Sequence, residues 1–366
     1  MCSVAASGIW PRMYAGTPLR ATRPAGLGRI DLGGTRAYLR GMKAIVVDRF
    51  GGPEVMQVRD VSDPRPGTGQ LLVRQEAIGV NFIDVYRRTG LYTVDLPMVP
   101  GMEGAGIVEE AGPDVRGLKR GDRVAYASAT GTYAEAALVP ADKAVRIPAR
   151  VTFAQAASAM LQGMTAHYLA LDTCPVQKGD TILVHAAAGG VGLLLLQIAR
   201  MRGARIIATV STPEKAELAR QAGANEVIIY TQADFVAEVK RLTAGKGVRV
   251  VYDSVGKATF LKSLDCLQPR GMMVSFGQSS GKAEPIEPIL LSAKGSLYLT
   301  RPVLGAYTAD RASLERRAGD VLGWVASGKL AIRVGATFPL ADAAEAHRQL
   351  EARMTTGKVL LLPRGA

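Results

Sequence analysis

A glycine-rich segment near the middle of the chain carries the residue types best suited to chemistry. An apolar run at residues 181–184 precedes the pattern Ala-x-Gly-x-x-Gly at residues 187–192. Small residues at this spacing let a backbone turn approach a phosphate group and let the next helix pack closely. The unpaired N–H groups and the positive end of the helix dipole attract the anion. The sequence therefore predicts a pyrophosphate-binding loop formed by Gly189, Gly190, Val191 and Gly192.

The residues after the next predicted strand distinguish the two nicotinamide dinucleotides. In NAD-binding proteins an acidic residue about 20 positions further on normally binds the ribose 2′-hydroxyl. Here the strand ends at Val210 without an acid, and Ser211 and Lys215 offer a hydroxyl and a cation instead. Pro213 can open the next helix, whose free N–H groups add to the same pocket. This pattern favours NADPH as the cofactor.

The order of predicted elements around this loop indicates two domains. Residues 42–148 read as short strands broken by Gly and Pro turns, which is typical of a compact, mostly β unit. From residue 180 strands and helices alternate, which predicts an α/β fold with a doubly wound parallel sheet of the Rossmann type. A last strand at 358–361 could return to the first unit. We therefore expect a cofactor domain at 166–303 and a catalytic domain at 42–165 that is completed by 304–366.

Composition narrows the class of protein and its compartment. The chain has 366 residues, 48% of them hydrophobic, which suits an ordered globular enzyme. Its three cysteines are far apart, so neither a disulfide framework nor a zinc cluster is expected, and a reducing, cytoplasmic compartment is favoured. Residues 181–199 lack charged side chains, but three glycines interrupt them, so a buried strand and helix are expected rather than a membrane span.

The net charge of +13 is raised by the first 41 residues, which hold six arginines and one aspartate. These residues mix Gly, Pro and Arg without an apolar period and are expected to be disordered. They are either a targeting segment or the product of a start codon placed too early. No nucleic-acid-binding motif accompanies the charge, so a nucleic-acid partner is not expected.

Several segments match one known family. They are residues 79–84, 90–92, 185–192, 251–256 and 274–277, which keep their order and spread over both predicted domains. On these segments the chain resembles the zinc-free quinone oxidoreductases (zeta-crystallin-like) of the medium-chain dehydrogenase/reductase superfamily. The resemblance implies a GroES-like β domain formed by both chain ends, a Rossmann domain between them, and a homodimer.

The resemblance also implies roles for individual residues. Near the nicotinamide it places Asn81, Tyr86 and Tyr126, and around the adenosine phosphate Tyr230 and Ser211. Further cofactor contacts are expected at strand ends, from Ser254, Phe276, Gly277 and Ser279. Asp84 and Tyr92 are the polar candidates near the acceptor, although Asp84 could equally be a structural cap or ion-pair partner.

No metal site is expected. Zinc-containing relatives have a Cys near Asn81 and a Gly-His-Glu motif, whereas this chain reads Gly101-Met102-Glu103. Two of three metal ligands are therefore replaced.

These features predict hydride transfer from NADPH to a quinone, with Asn81 orienting the acceptor oxygen or the nicotinamide and Tyr92 or a water delivering the proton. An enone or enoyl reductase is the alternative within enzymes. A non-catalytic protein that binds NADPH and RNA is the alternative of another class. The sequence identifies neither the physiological acceptor nor the number of electrons transferred per step.

Overall fold

Fifteen strands build three sheets in residues 41–363, the part of the chain that the computed structural model describes. The strands are β1 (Gly41–Val47), β2 (Met56–Ser62), β3 (Gln70–Val80), β4 (Glu103–Ala111), β5 (Arg123–Ala127), β6 (Ala136–Pro140), β7 (Ala144–Arg146), β8 (Thr181–Val184), β9 (Arg205–Val210), β10 (Glu226–Ile229), β11 (Val248–Asp253), β12 (Leu267–Ser275), β13 (Tyr298–Thr300), β14 (Val334–Pro339) and β15 (Lys358–Leu362). The predicted extension, residues 1–41, lies outside the described residues except for Gly41, which begins β1.

Ten α-helices connect or cover these strands within the same residues. They are α1 (Phe82–Arg88), α2 (Phe153–Tyr168), α3 (Gly190–Met201), α4 (Pro213–Gln221), α5 (Phe235–Leu242), α6 (Phe260–Leu264), α7 (Ile289–Ala293), α8 (Leu304–Tyr307), α9 (Arg311–Ala326) and α10 (Ala343–Glu351). Among them, no helix is both long enough and apolar enough to cross a bilayer.

The largest sheet joins strands from both ends of the described chain. Its order is β14-β15-β3-β4-β5-β7, and β6 also pairs with β3. The late strand β15 lies antiparallel to β3, with Val359 opposite Val80. The apolar residues Val359, Leu360 and Leu361 of β15 are buried. The hydrophobic effect therefore holds this strand against the first domain.

The second sheet has six strands in the order β10-β9-β8-β11-β12-β13, and all neighbouring pairs are parallel. The strand order reverses between β8 and β11. In an open parallel sheet this reversal creates a crevice at the carboxyl ends of the strands, where ligands bind. The predicted phosphate loop follows β8 and therefore lies at this crevice.

Helix α2 lies between the seven-stranded sheet and the helices α3 and α9. Thr152 caps it by accepting from the Gln155 N–H, while the Gln155 side chain accepts from the Thr152 N–H. Its Ala- and Met-rich face is buried against β4 and β5 on one side and α3 and α9 on the other. The helix continues across the predicted domain boundary at residues 165 and 166.

Candidate active site

The phosphate loop turns sharply into α3. Gly189 is the N-cap of that helix, and its N–H donates to Ala186 O at 2.9 Å. A Cβ at Gly192 would lie 2.5 Å from Ala186 O and 2.7 Å from Ala187 O, so only glycine lets the helix begin this close to the loop. A Cβ at Gly190 would meet the side chain of Gln162. The first turn of α3 thus presents its N–H groups at the carboxyl end of β8, an arrangement that fits a pyrophosphate.

A backbone contact ties the phosphate loop to the start of β15. The Gly357 N–H donates to Ala188 O at 2.9 Å, and Gly357 pairs with Gly189 as an isolated parallel bridge. The next residue, Lys358, points into the buried cluster around Asn81. The residue that contacts the loop and the residue that enters the cluster are therefore adjacent in the chain.

Three of the predicted adenosine-side residues lie together at the ends of β9 and β10. The Tyr230 N–H donates to Val210 O at 3.0 Å, which places Tyr230 beside Ser211. The Tyr230 side chain is 40% exposed. Lys215 lies in the first turn of α4, whose N-terminus follows Ser211 closely. All three residues therefore lie at this edge of the sheet.

A second cation, Arg353, lies beside Lys215. The ammonium group of Lys215 donates to Arg353 O at 2.6 Å. Burial and the nearby Arg353 charge lower the pKa of Lys215. Neither cation forms an ion pair with an acid of residues 41–363. Two adjacent cations without a carboxylate fit the 2′-phosphate of NADPH.

The remaining predicted strand-end residues also come together. Ser279 N–H donates to Ser254 O at 3.1 Å, and a Cβ at Gly277 would lie 2.5 Å from the same oxygen. Phe276 N–H donates to Asp253 O at 2.8 Å. These contacts bring the ends of β11 and β12 into one wall of the crevice.

Asn81 lies in a buried polar cluster on the side of the β domain. Its Oδ1 accepts from Lys358 Nζ at 2.9 Å and from Gln162 Nε2 at 3.3 Å. Its Nδ2 donates to Glu103 Oε2 at 2.9 Å and to Gly79 O at 3.4 Å. An amide can make four hydrogen bonds, so its side chain is fully engaged. The predicted role of Asn81 as a direct donor to the acceptor would require one partner to leave.

Lys358 and Glu103 form a buried ion pair within this cluster. Both side chains are at most 2% exposed. The second oxygen of Glu103 accepts from the backbone N–H of Leu161 in α2. A cation of the chain itself therefore neutralises the carboxylate that accepts from the side-chain amide of Asn81.

Asp84 lies behind Asn81 and is fully buried. Its Oδ2 accepts from the Asn81 N–H at 2.9 Å and from the Tyr133 hydroxyl at 3.0 Å, while Oδ1 has no partner. Burial raises the pKa of Asp84 to about 6. Asp84 thus holds the start of α1 rather than facing the crevice.

A chain of donors continues from Tyr133 towards the surface. Arg88 Nη1 lies 3.0 Å from His347 Nδ1, and His347 Nε2 lies 3.0 Å from the Tyr133 hydroxyl. Arginine only donates, so Nδ1 accepts, and in the neutral ring Nε2 carries the hydrogen. Burial, together with the Arg88 charge, lowers the pKa of His347 to about 3. Successive donors therefore point towards the Asp84 carboxylate.

Tyr86 and Tyr92 form an aromatic wall between the two domains. Their rings meet edge to face at 5.3 Å between centroids. The hydroxyl of Tyr86 accepts from the Gln278 N–H at 3.0 Å, which connects α1 to the segment after β12. Burial raises the pKa of Tyr86 to about 12. Tyr92 is 36% exposed and is the more accessible hydroxyl of the two.

Tyr126 does not lie on this wall. It is fully buried in β5, and its hydroxyl donates to Oε1 of Gln75 within the β-domain core. The alternation of β5 turns its side chain inward, and this position offers no surface to a cofactor. Its predicted contact with the nicotinamide is therefore corrected to a structural role.

Two sequence families match the chain. Residues 67–149 match the alcohol dehydrogenase GroES-like domain, and residues 190–316 match the family described as zinc-binding dehydrogenase. A quinone oxidoreductase of Pseudomonas aeruginosa is 48% identical over 88% of this chain and 99% of its own length. The chain belongs to the quinone oxidoreductase family of the medium-chain dehydrogenase/reductase superfamily. The predicted fold class, a Rossmann domain with a GroES-like domain, is confirmed.

The names of two further relatives of this quinone oxidoreductase family member state a bound cofactor and an acceptor. The structure of Escherichia coli quinone oxidoreductase complexed with NADPH is 45% identical, covers 88% of this chain and all of its own, and superposes with a TM-score of 0.86. A 2-haloacrylate reductase of a Burkholderia species is 43% identical over 87% of this chain and 98% of its own length. Neither relative favours the non-catalytic, RNA-binding alternative.

The family member has no residue set suited to zinc among residues 41–363. No group of three or more His, Cys, Asp or Glu side chains there could hold a metal ion. The acid that contacts the Asn81 side chain, Glu103, is already paired with Lys358. A metal does not fit this site.

Sequence reasoning missed five residues at this site, namely Glu103, Gln162, Gln278, Arg301 and Lys358, and a sixth, Arg353, at the adenosine end. One signal could have found Lys358, because a lysine opening the otherwise apolar run 359–362 needs a buried partner. No comparable local signal marks Gln278, which contributes only a backbone N–H.

Proposed function

We propose that the protein is an NADPH:quinone oxidoreductase that works without a metal. When bound, NADPH supplies a hydride, and conversion of a quinone to its hydroquinone consumes that hydride and one proton. The residues of the chain bind and orient the two reactants and exclude water.

The observation that carries this proposal is the arrangement along the carboxyl edge of the parallel sheet. The phosphate loop at Gly189–Gly192 lies at the strand reversal, and the unpaired cations Lys215 and Arg353 lie on one side of it. The aromatic wall of Tyr86 and Tyr92 lies on the other side, where β12 ends. A dinucleotide with a 2′-phosphate fits this order of cations, phosphate loop and tyrosines along the sheet edge, with its nicotinamide towards the two tyrosines.

Each residue near the tyrosine wall has a limited chemical role. The side-chain amide of Asn81 is held in a fixed orientation and is not a free donor, because all four of its hydrogen-bonding positions are used. Tyr86 keeps its proton at neutral pH, since burial raises its pKa to about 12. Tyr92 reaches solvent and can pass a proton to the reduced acceptor directly or through water.

The test is NADPH oxidation by the full chain with a quinone, an enone and an aldehyde, each with and without a chelator. Turnover of the quinone that the chelator leaves unchanged supports the proposal. A chelator-sensitive reaction, or turnover of the aldehyde alone, contradicts it.

A second acceptor class is favoured by one relative. The 2-haloacrylate reductase acts, by its name, on a carbon–carbon double bond conjugated to a carboxylate. We propose that activated double bonds are secondary acceptors for this chain, since the same hydride can add to a conjugated carbon. Activity with 2-chloroacrylate and NADPH, measured beside the quinone, tests this extension.

We also propose a homodimer formed through β13. This strand is the edge of the parallel sheet among the described residues, and Tyr298 and Leu299 are 54% and 40% exposed. An exposed apolar edge strand is a template for pairing with a second copy. Light scattering of the wild type and Leu299→Lys tests it, because a charge on this edge should shift a dimer towards monomer.

A cytoplasmic location is proposed from the thiols. Cys174 and Cys266 are free and buried, and burial raises the pKa of Cys266 to about 12. Unpaired thiols are typical of a reducing compartment. Recovery of the native protein in a cytosolic cell fraction tests this assignment.

A further inference from the structure

Arg301 is anchored at the carboxyl edge of the parallel sheet. It follows β13 directly, and its Nη1 donates to Ser275 O at 2.8 Å and to Gly277 O at 3.2 Å. Both carbonyls belong to the end of β12 and the segment after it. Two backbone acceptors on one nitrogen fix the position of the guanidinium group.

The other terminal nitrogen of Arg301 faces the aromatic wall. Arg301 Nη2 lies 3.4 Å from the hydroxyl of Tyr92, which is a long and weak hydrogen bond. Tyr92 in turn contacts Tyr86 edge to face. The guanidinium group therefore lies where the acceptor would enter if the nicotinamide faces the two tyrosines.

The charge of Arg301 has no partner in the part of the chain that the structure describes. No carboxylate of residues 41–363 forms an ion pair with it, and the residue is exposed to solvent. A guanidinium group presents five N–H donors in a planar fork that matches an oxyanion in two places. The backbone carbonyls and Tyr92 leave part of this fork for a ligand.

The cofactor phosphate does not account for this cation. Lys215 and Arg353 lie by β9 and α4, whereas Arg301 follows β13. β9 and β13 are four strand positions apart in the sheet, which corresponds to roughly 19 Å at the usual strand spacing. Arg301 thus lies on the acceptor side of the crevice.

We propose that Arg301 is a specificity residue that binds an anionic substituent of the acceptor, a carboxylate or sulfonate next to the carbon–carbon or carbonyl group that is reduced. The inference rests on the proposed function, because it assumes that the acceptor binds beside Tyr92. It predicts that acidic quinones and conjugated carboxylates are preferred over neutral acceptors of the same shape.

The test compares 1,2-naphthoquinone with its 4-sulfonate at saturating NADPH, in the wild type, Arg301→Gln and Arg301→Lys. We expect Arg301→Gln to lower the ratio of kcat/KM for the sulfonate to kcat/KM for the neutral quinone about 10-fold, through KM. Arg301→Lys should restore part of that ratio. Arg241→Gln is the matched control, because Arg241 is exposed on the distant helix α5 and pairs with Glu238, and its loss should leave the ratio unchanged.

Two results would overturn the assignment, and they differ from failure of the proposed function. An unchanged ratio in Arg301→Gln, with normal turnover of both quinones, overturns the inference alone. A higher KM for NADPH with both acceptors, measured by varying NADPH at a fixed quinone concentration, would assign Arg301 to the cofactor instead. No turnover of either quinone by the wild type would overturn the proposed function and this inference together.

Discussion

The ammonium nitrogen of Lys358 lies 2.9 Å from Oδ1 of Asn81, and this contact fixes which way round the amide is held. Lysine can only donate, and the Glu103 carboxylate on the other side of the amide can only accept. Rotation of the amide by 180° would place donor against donor and acceptor against acceptor. The ion pair therefore positions Asn81 without touching the reactants.

The buried ion pair of Lys358 and Glu103 predicts that their contributions to the free energy of unfolding are strongly coupled. Lys358→Met leaves a buried carboxylate without a countercharge and should lower the free energy of unfolding by about 3 kcal/mol or more. The double variant Lys358→Met/Glu103→Gln removes both charges and should be more stable than Lys358→Met alone. Urea unfolding of the four proteins in the cycle measures the coupling. Additive effects of the two substitutions would contradict a direct interaction.

The cation pair at the adenosine end predicts the cofactor preference of two variants. Lys215→Ala and Arg353→Ala each remove a charge that can bind the 2′-phosphate, so each should lower kcat/KM for NADPH about 10-fold. NADH has no such phosphate, and its kcat/KM in the same variants is the internal control. Equal losses with the two cofactors would show that these side chains support the fold rather than the phosphate.

The close approach of α3 to its loop predicts the effect of a single methyl group. Gly192→Ala places Cβ against two backbone carbonyls that cannot move independently, so NADPH should bind at least 10-fold more weakly, with a loss of about 1–3 kcal/mol in stability. Gly319→Ala is the control, because a Cβ at that position in α9 meets nothing within 4 Å. It should leave NADPH binding unchanged and slightly stabilise its helix. Wild-type affinity in Gly192→Ala, measured by fluorescence titration, would refute the packing argument.

The raised pKa of Asp84 predicts that the free energy of unfolding depends on pH. Its pKa is about 6 in the folded protein, against an ordinary value of 3.8, so the folded state holds this proton more tightly than the unfolded state does. The stabilising contribution is fully present below pH 3.8 and is lost as the pH rises through 6. Asp84→Asn removes this titration. The free energy of unfolding of the variant minus that of the wild type should therefore rise by about 2 kcal/mol between pH 4 and pH 7.

Urea titrations of both proteins at several pH values give this difference, in which titrating groups remote from Asp84 cancel. His347 is linked to Asp84 through Tyr133 and acts with the opposite sign, because its lowered pKa favours the folded state as the pH rises from about 3 to 6.5. A difference that is constant across this range would mean that Asp84 keeps an ordinary pKa.

Local patterns predicted the parallel sheet well. The apolar run at 181–184 and the strand end expected at Val210 match β8 and β9, because short apolar runs between turn signals are distinctive in buried parallel strands. Helix α2 was missed, since its many small residues lack a clear polar face. The predicted domain boundary therefore cuts α2, which packs between the seven-stranded sheet and α3.

The contacts of the site could not be predicted in the same way. Asn81 is 22 residues from Glu103 and 277 residues from Lys358 in the chain. Their meeting depends on the register between β15 and β3, which no local pattern encodes. The placement of Tyr126 failed for a related reason, because the resemblance gave a position along the strand but not the face on which the side chain lies.

We expect this chain to transfer hydride from NADPH to a quinone. The most direct measurement is an anaerobic reaction of the full chain with 1,4-benzoquinone, in which NADPH loss and hydroquinone formation are followed together, with normal and 4-deuterated NADPH. We predict one hydroquinone per NADPH and slower single-turnover kinetics with the deuterated cofactor. NADPH binding without quinone-dependent oxidation would contradict the claim.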